Sequence, residues 1–142
     1  MKMIIGGALG RMGKALAENA KASGVEIAEG VDVAYQGQPS DFPIVTGYEQ
    51  LTQTADVLVD FSRADALHDL LAYCTEKKLP LVLCTTGFNE DELAAIKRAT
   101  ESIPILRSAN MSLGVNVMQQ LVAMAARVLG EGYDVEIIEK HH

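Results

Sequence analysis

The stretch GGALGRMG, residues 6–13, decides the fold that this chain can adopt. It follows a short apolar run, MKMII at residues 1–5, and it precedes a segment whose apolar residues recur at helical spacing. Gly7 permits a tight turn, Gly10 lets the backbone approach a ligand closely, and Gly13 lets a helix pack near a strand. The stretch therefore predicts a strand, a glycine-rich turn and a helix in direct succession.

The predicted turn has the properties of a diphosphate-binding site. The amino end of the helix offers free N–H groups and roughly +0.5 of an elementary charge, and Arg11 adds a full positive charge. The spacing differs from the G-x-G-x-x-G dinucleotide fingerprint, because Leu9 stands in the place of its second glycine and Gly10 follows. The physical roles of the glycines are nevertheless similar, so we predict a dinucleotide-binding turn.

Asp32 ends the second predicted strand, about 20 residues beyond the glycines, where dinucleotide-binding folds place a carboxylate on the adenosine ribose. A carboxylate repels the 2′-phosphate of NADPH, and the next residues, Val33 and Ala34, are not basic. Binding of NADH is therefore slightly favoured over binding of NADPH. Arg11 and Lys14 could still help to hold NADPH. The alternative interpretation is an ordinary glycine-rich turn followed by a surface acid.

Strand-like and helix-like segments alternate along the whole chain, which predicts an α/β fold with a Rossmann-type doubly wound parallel sheet. Ligands of such folds gather beyond the carboxyl ends of the strands. Ser62 with Asp65, and Asn89 with Glu92, have the spacing of capping boxes at the starts of two helices. The predicted strands lie at residues 1–5, 25–33, 55–61, 79–84, 103–109 and 134–140.

The composition restricts the possible classes of function. Apolar residues make up 49% of the 142 residues and charged residues 22%, as in an ordinary globular domain. The net charge of −7 argues against nucleic acid as the main partner, because that partner requires a basic face. No run reaches the ~18 apolar residues of a membrane helix, and the first residues lack a signal-peptide pattern. Cys74 and Cys84 show no C-x-x-C spacing, which favours a reduced, cytoplasmic setting.

Two further predicted strands end in small polar residues. Cys84-Thr85-Thr86-Gly87 follows one strand, and SANMS at residues 108–112 follows the next. Small residues at these points leave room for a flat ring and offer backbone groups to a carboxamide. Ordinary strand–helix turns are the alternative interpretation.

Four segments carry a resemblance to a known family: GALGRMG from Gly7, CTTGF from Cys84, SANMSLGVNVM from Ser108 and VEIIEKHH from Val135. In order and spacing they resemble the 4-hydroxy-tetrahydrodipicolinate reductases, also called dihydrodipicolinate reductases, over the whole chain. The resemblance implies an oxidoreductase of bacterial lysine and diaminopimelate synthesis. Such an enzyme transfers hydride from NADH or NADPH to the cyclic imine made from aspartate semialdehyde and pyruvate, which yields tetrahydrodipicolinate.

The resemblance also implies domains and residue roles. A dinucleotide-binding Rossmann domain would span residues 1–111, and an incomplete α+β domain for substrate binding and tetramer assembly would begin at residues 112–142. His141 matches the proton donor, and His142 matches a residue that binds the small dicarboxylate substrate. No metal is implied. The residues that match cofactor contacts are Gly7, Ala8, Leu9, Gly10, Arg11, Met12, Asp32, Cys84, Thr85, Thr86, Ser108, Ala109, Asn110 and Met111.

The chain departs from the family pattern in three places. Cys84 stands where glycine is usual, which crowds the nicotinamide loop, and Met111 replaces the usual phenylalanine beside the ring. The sequence also stops at His142, before the lysine and the Asp-Ala-Pro-Ser-Gly-Thr stretch that bind substrate in the family. We therefore expect this chain alone to bind dinucleotide but to turn over poorly.

His141 and His142 have interpretations of their own. Neighbouring residues on a strand point to opposite faces, so the pair suits two separate roles better than one metal ion. A histidine that titrates near ~6.5 can supply a proton at cytosolic pH. The remaining alternative is a purification tag.

Two rival functions remain open on the sequence. One is a non-catalytic NAD(P)-binding module, in which the terminal histidines are incidental. The other is a related dehydrogenase that acts on aspartate or its semialdehyde with the same nucleotide domain.

Overall fold

A computed structural model describes residues 1–138 and 140 of the chain. The chain divides into two compact units, Met1–Ala109 and Asn110–His142. The assignment of residues 112–142 to the start of a substrate domain stays a prediction.

The first unit is built on one six-stranded sheet in which all paired strands are parallel. The strand order is β3-β2-β1-β4-β5-β6, so the chain leaves β1 first toward one edge and then toward the other. This is the Rossmann order, and it confirms the predicted fold class. The strands are β1 Lys2–Gly6, β2 Glu26–Val31, β3 Ile44–Val45, β4 Val57–Asp60, β5 Leu81–Leu83 and β6 Ile105–Arg107.

Helices in the first unit pack on both faces of the sheet. Ile4 and Ile5 are both fully buried, and as strand neighbours they belong to two different apolar clusters. The cluster that contains Ile4 includes Leu70 of the second helix and Ile96 of the third, whereas the cluster that contains Ile5 includes Ala20 of the first helix. Burial on both faces explains why the strands are almost continuously apolar. The helices are α1 Arg11–Ala22, α2 Leu67–Lys77, α3 Glu90–Ala99 and, in the second unit, α4 Leu113–Leu129.

The two predicted capping boxes had different outcomes. At the start of α3 the Asn89 side chain accepts the Glu92 N–H at 2.9 Å, and the Glu92 side chain accepts the Asn89 N–H at 2.7 Å. The box at Ser62 and Asp65 was wrong, because α2 begins only at Leu67, after a 3₁₀ turn at Ala64–Ala66, and it has no side-chain cap. Asp65 is instead engaged by Arg63 at 2.9 Å.

One strand of the sheet was not predicted, and one predicted strand was wrong. The two-residue strand β3 was missed, since so short a segment carries no periodicity of its own. The strand predicted at residues 134–140 is not formed by residues 134–138 and 140, which the structure describes. A strand exists only when its backbone groups pair with a neighbour, and an extended segment cannot supply its own partner.

One helix in the described residues, Leu113–Gly132, is long and apolar enough to cross a membrane by length and composition, with a mean hydropathy of 1.2. Its polar residues Asn116, Gln120 and Arg127 are about one and two helical turns apart, so they lie along one side of the helix. Length and composition alone do not show that this helix crosses a membrane. The expectation that the protein has no membrane partner stays a prediction.

Candidate functional site

The glycine turn begins where β1 ends. Gly7 has a φ of +72°, a conformation that side chains rarely adopt, and its N–H donates to the Val31 carbonyl at 2.8 Å. The Ala8 N–H donates to the same carbonyl at 3.1 Å, which fastens the turn to the end of β2. A methyl group on Gly13 would overlap the Gly7 carbonyl oxygen, so α1 packs directly against the turn. The glycines therefore serve the close packing that the sequence predicted.

The amino end of α1 is open to an anion. Gly10 is the N-cap residue, no side chain caps the helix, and the first turn contains no acidic residue. Gly10 is exposed, and a methyl group on it would approach only the Gly7 carbonyl oxygen, at 3.2 Å. The first backbone N–H groups of a helix have no intrahelical acceptor, and they are available to a ligand here. This geometry fits a diphosphate.

Asp32 lies directly beside the glycine turn. Its Oδ2 accepts the Leu9 N–H at 2.9 Å, and its Oδ1 accepts the Ala34 N–H at 2.9 Å. These two bonds fix the carboxylate, and each oxygen keeps a second lone pair for another donor. The structure thus brings the acid and the turn together as the sequence predicted, and it leaves the acid able to accept ribose hydroxyls.

A cleft of about 250 Å³ opens between the glycine turn and the ends of β2, β3 and β4. It contains Gly10 and Asp32, and it adds two segments that the sequence interpretation missed, Thr46–Tyr48 after β3 and Phe61–Arg63 after β4. The rule that ligands gather at strand ends applies to Phe61–Arg63, which directly follow a buried strand, and it could have identified them. The segment after β3 carried no such signal, because β3 itself was not recognised.

Two residues of the loop after β4 line the cleft. The Ser62 hydroxyl is buried close to the Tyr48 phenol, and among the described residues it makes no well-formed hydrogen bond. Arg63, whose exposed guanidinium is paired with Asp65, lies in the same cleft as Asp32. The loop after β4 therefore brings a basic residue into the cleft that Asp32 also lines.

The loop after β5 is fastened to β4. The Cys84 N–H donates to the Asp60 carbonyl at 2.9 Å, and the Thr85 hydroxyl donates to the Asp60 carboxylate at 2.7 Å. Thr85 is consequently buried, whereas Thr86 is exposed. The Thr85 side chain is committed to Asp60, so a cofactor contact at Thr85 would use backbone atoms.

Asp60 itself was missed by the sequence interpretation. Only 1% of the residue is exposed, and its carboxylate also accepts the Tyr48 hydroxyl at 3.0 Å. Burial, and then the nearby Asp60 charge, raise the pKa of Tyr48, so the phenol remains a hydrogen-bond donor at physiological pH. The carboxylate therefore joins the cleft, through Tyr48, to the loop after β5.

Burial and the Asp60 charge also raise the pKa of the Cys84 thiol to about 11. We expect alkylation of Cys84 by iodoacetamide to increase about tenfold per pH unit through the range where a free thiol, with a pKa of about 8.5, has already levelled off. Mass spectrometry of the Cys84 peptide, with glutathione as the unperturbed control, measures this dependence. A Cys84 profile that levels off together with glutathione would contradict the assignment.

The predicted contacts at residues 108–111 fall on both sides of the division between the two units. In the first unit, the Ser108 N–H donates to the Leu83 carbonyl at 3.3 Å. In the second, the Ser112 N–H donates to the Asn110 side chain at 2.8 Å, and Ser112 caps α4. Cofactor contacts by Ser108, Ala109, Asn110 and Met111 stay predictions.

His141 and His142 lie outside the described residues, so their assigned roles also stay predictions. Within residues 1–138 and 140, no group of three or more His, Cys, Asp or Glu side chains is placed to hold a metal ion.

Comparison with known proteins gave two consecutive family matches. Residues 1–111 match the family model described as dihydrodipicolinate reductase, N-terminus, and residues 114–142 match the model described as dihydrodipicolinate reductase, C-terminus.

Curated relatives match along the whole chain. Proteins named 4-hydroxy-tetrahydrodipicolinate reductase from Caldanaerobacter subterraneus subsp. tengcongensis and from Alkaliphilus oremlandii are 45% and 46% identical over 100% of the chain. The chain spans only 56% and 55% of their respective lengths. It therefore corresponds to about half of each relative.

Solved structures share the fold. Dihydrodipicolinate reductase from Paenisporosarcina sp. TG-14, determined with dipicolinate bound, superposes with a TM-score of 0.76 at 20% identity. The match covers 89% of this chain and 53% of that one. A probable dehydrogenase from Thermotoga maritima superposes with a TM-score of 0.65 at 18% identity, over 92% of this chain and 43% of that one.

Proposed function

Since this chain belongs to the dihydrodipicolinate reductase family, we propose that it is the cofactor-binding portion of an NADH- or NADPH-dependent 4-hydroxy-tetrahydrodipicolinate reductase. The enzyme would reduce a cyclic imine dicarboxylate to tetrahydrodipicolinate in the synthesis of lysine and diaminopimelate. The observation that carries the proposal is the uncapped amino end of α1, which lies beside Asp32 at the edge of a cleft of about 250 Å³.

Different groups of the described residues would bind the diphosphate, the adenosine ribose and the nicotinamide of the dinucleotide. The N–H groups at the start of α1 would bind the diphosphate, with the Arg11 charge beside them. Asp32 would accept hydroxyls of the adenosine ribose in the cleft. The backbone of Cys84–Thr86 would bind the nicotinamide carboxamide. The nicotinamide supplies the hydride when it is bound, and the chain's task is to orient it and to exclude water.

The remaining steps fall to residues at the end of the sequence. Reduction of the conjugated imine leaves an electron-rich carbon on the substrate that must take up a proton. The family resemblance assigns that proton to His141, and it assigns to His142 a contact with a substrate carboxylate. Imidazole is the side chain that most commonly transfers protons in enzymes, and its protonated form can bind an anion.

In the family pattern a lysine and an Asp-Ala-Pro-Ser-Gly-Thr stretch beyond the position of His142 also bind substrate, so turnover would be assayed in a longer protein that spans the full length of the relatives. The chain would then be part of a soluble, cytoplasmic enzyme that assembles as a homotetramer and acts on a small dicarboxylate.

The proposal is tested by calorimetric titration of this chain with NADH and with NADPH, and by an assay of the longer protein. That assay supplies the condensation product of aspartate semialdehyde and pyruvate and follows nicotinamide absorbance. We expect micromolar to millimolar binding of at least one dinucleotide, as is usual for nicotinamide enzymes. Absence of binding to both would overturn the proposal, as would turnover of aspartate or its semialdehyde instead of the imine.

Asp32→Ala is expected to weaken NADH several-fold and to improve NADPH relative to NADH. The substitution removes the acceptor for the ribose hydroxyls and the charge that repels a 2′-phosphate, while Arg63 remains in the cleft to meet that phosphate. Asp32 also fixes the turn through the Leu9 N–H, so both affinities should fall somewhat. The ratio of the two therefore isolates the ribose role. Asp41→Ala is a matched control, because that exposed carboxylate does not line the cleft and pairs with Lys21 on the surface.

Equal losses for the two dinucleotides in Asp32→Ala would assign Asp32 to the turn alone. Calorimetry of both variants with both ligands provides the comparison.

A further inference from the structure

Asp60 is a fully buried carboxylate that connects three loops of the first unit. Its Oδ2 accepts the Thr85 hydroxyl at 2.7 Å, and its Oδ1 accepts the Tyr48 hydroxyl at 3.0 Å and the Ser62 N–H at 3.4 Å. These donors belong to the loops after β5, β3 and β4 respectively. An isolated buried charge is strongly unfavourable, so the carboxylate depends on all of these donors.

The sheet is shaped to accommodate this carboxylate. Gly6 lies beside Asp60 in the parallel pairing of β1 and β4, and a methyl group on Gly6 would overlap the Asp60 Oδ1. The same methyl group would lie 2.9 Å from the Tyr48 hydroxyl. The last residue of β1 therefore has no side chain at the one point where a side chain would displace the Asp60–Tyr48 pair.

The loop that Asp60 holds is fastened at both of its ends. At its start, Cys84 and Thr85 are bonded to the backbone and the side chain of Asp60. At its far end, Asn89 caps α3, and the Arg107 guanidinium lies over the Phe88 ring at 5.8 Å from its centre. Between the two, Gly87 has a φ of +86° with open space around it. The bond from Thr85 to Asp60 thus sets the direction in which the loop leaves the sheet.

We propose that Asp60 is a positioning residue for hydride transfer: through the Thr85 hydroxyl it holds the loop at Cys84–Thr86 in the conformation whose backbone binds the nicotinamide. The inference rests on the proposed function, because it takes that loop as the nicotinamide site. Asp60 does not itself contact the cofactor, since it is buried beneath the loop.

The test compares two ligands that share the adenosine diphosphate portion. NADH carries the nicotinamide, whereas ADP-ribose lacks it. Thr85→Val removes the hydroxyl at nearly constant volume, and it is expected to weaken NADH about tenfold while it changes ADP-ribose less than about twofold. Thr85→Ser restores the hydroxyl and is expected to restore NADH affinity to within about threefold of the original chain. Asp60→Asn, which also disturbs the bonds to Tyr48 and Ser62 in the cleft, is expected to weaken NADH at least about tenfold and to weaken ADP-ribose as well.

The outcomes separate the two proposals. If the unsubstituted chain binds neither NADH nor NADPH, the proposed function fails. If it binds them but Thr85→Val retains full NADH affinity, or loses NADH and ADP-ribose equally, the positioning role of Asp60 is overturned. Thermal melts show whether each variant is folded, and Thr85→Val decides the question should Asp60→Asn not fold.

Discussion

Gly13→Ala is expected to lower the free energy of unfolding by about 3 kcal/mol and to abolish detectable dinucleotide binding. The new methyl group would overlap the Gly7 carbonyl oxygen and would lie 2.9 Å from backbone atoms of Ala8. These neighbours are backbone atoms of a turn that is fixed to Val31, so they cannot rotate away as a side chain could. Relief requires α1 to move off β1, and that movement displaces the N–H groups that would face the diphosphate.

Gly114→Ala is the matched control for this prediction. Both glycines lie in the first turn of a helix, but a methyl group on Gly114 would meet only the Ser112 hydroxyl, at an ordinary contact distance of 3.7 Å. Alanine also has the higher helix propensity, so this substitution should stabilise the chain by up to about 1 kcal/mol. Urea denaturation followed by circular dichroism gives both values. Equal midpoints for the two variants would show that Gly13 does not serve close packing.

The sequence was sufficient for those parts of the fold that depend on local pattern. Continuous apolar strands and the glycine turn carry their own signals, and so does the Asn89–Glu92 box, because its two side chains bond each other's backbone within a single helical turn. The box at Ser62 and Asp65 had the same spacing but failed, since Asp65 is engaged by Arg63 instead. The spacing of the residues determines which capping hydrogen bonds are possible. Whether they form depends also on other partners that compete for the same side chains.

The bonds of Asp60 to two hydroxyls, which the sequence did not predict, are long-range pairings, unlike the Phe61–Arg63 segment, which the strand-end rule could have identified. Nothing local in VLVDFS shows that Asp60 will accept a hydroxyl 25 residues away, or that Tyr48 will approach it from the other side. The bond from Leu9 to Asp32 is also long-range, but Asp32 could be singled out because dinucleotide-binding folds place an acid about 20 residues beyond the glycine turn. The strand predicted at residues 134–140 is the converse case, because residues 134–138 and 140, which the structure describes, have a good local pattern but form no strand.

Glu29→Ala is expected to cost about 2–4 kcal/mol of folding stability, because the Glu29 carboxylate is the buried anchor of the loop before β4. The residue lies within β2 and is only 3% exposed. Its Oε2 accepts the N–H groups of Thr52 and Gln53, both at 2.8 Å, and its Oε1 accepts the Thr52 hydroxyl at 3.2 Å. Alanine would leave the two backbone donors and the hydroxyl without their acceptor, and it would leave a gap where the buried Glu29 side chain lies.

Glu29→Gln separates the hydrogen bonds from the charge. The amide oxygen can still accept both backbone N–H groups, and the amide nitrogen can donate to the Thr52 hydroxyl, so the expected loss is only about 1–2 kcal/mol. Glu26→Ala, on the same strand, is the control: its ion pair with Lys2 is exposed, and its removal should cost less than about 1 kcal/mol. Urea denaturation of the three variants should therefore rank Glu29→Ala below Glu29→Gln and Glu29→Gln below Glu26→Ala. If Glu29→Ala were no less stable than Glu26→Ala, the bonds to Thr52 and Gln53 would contribute nothing to folding, and the loop before β4 would have to be held by its apolar contacts alone.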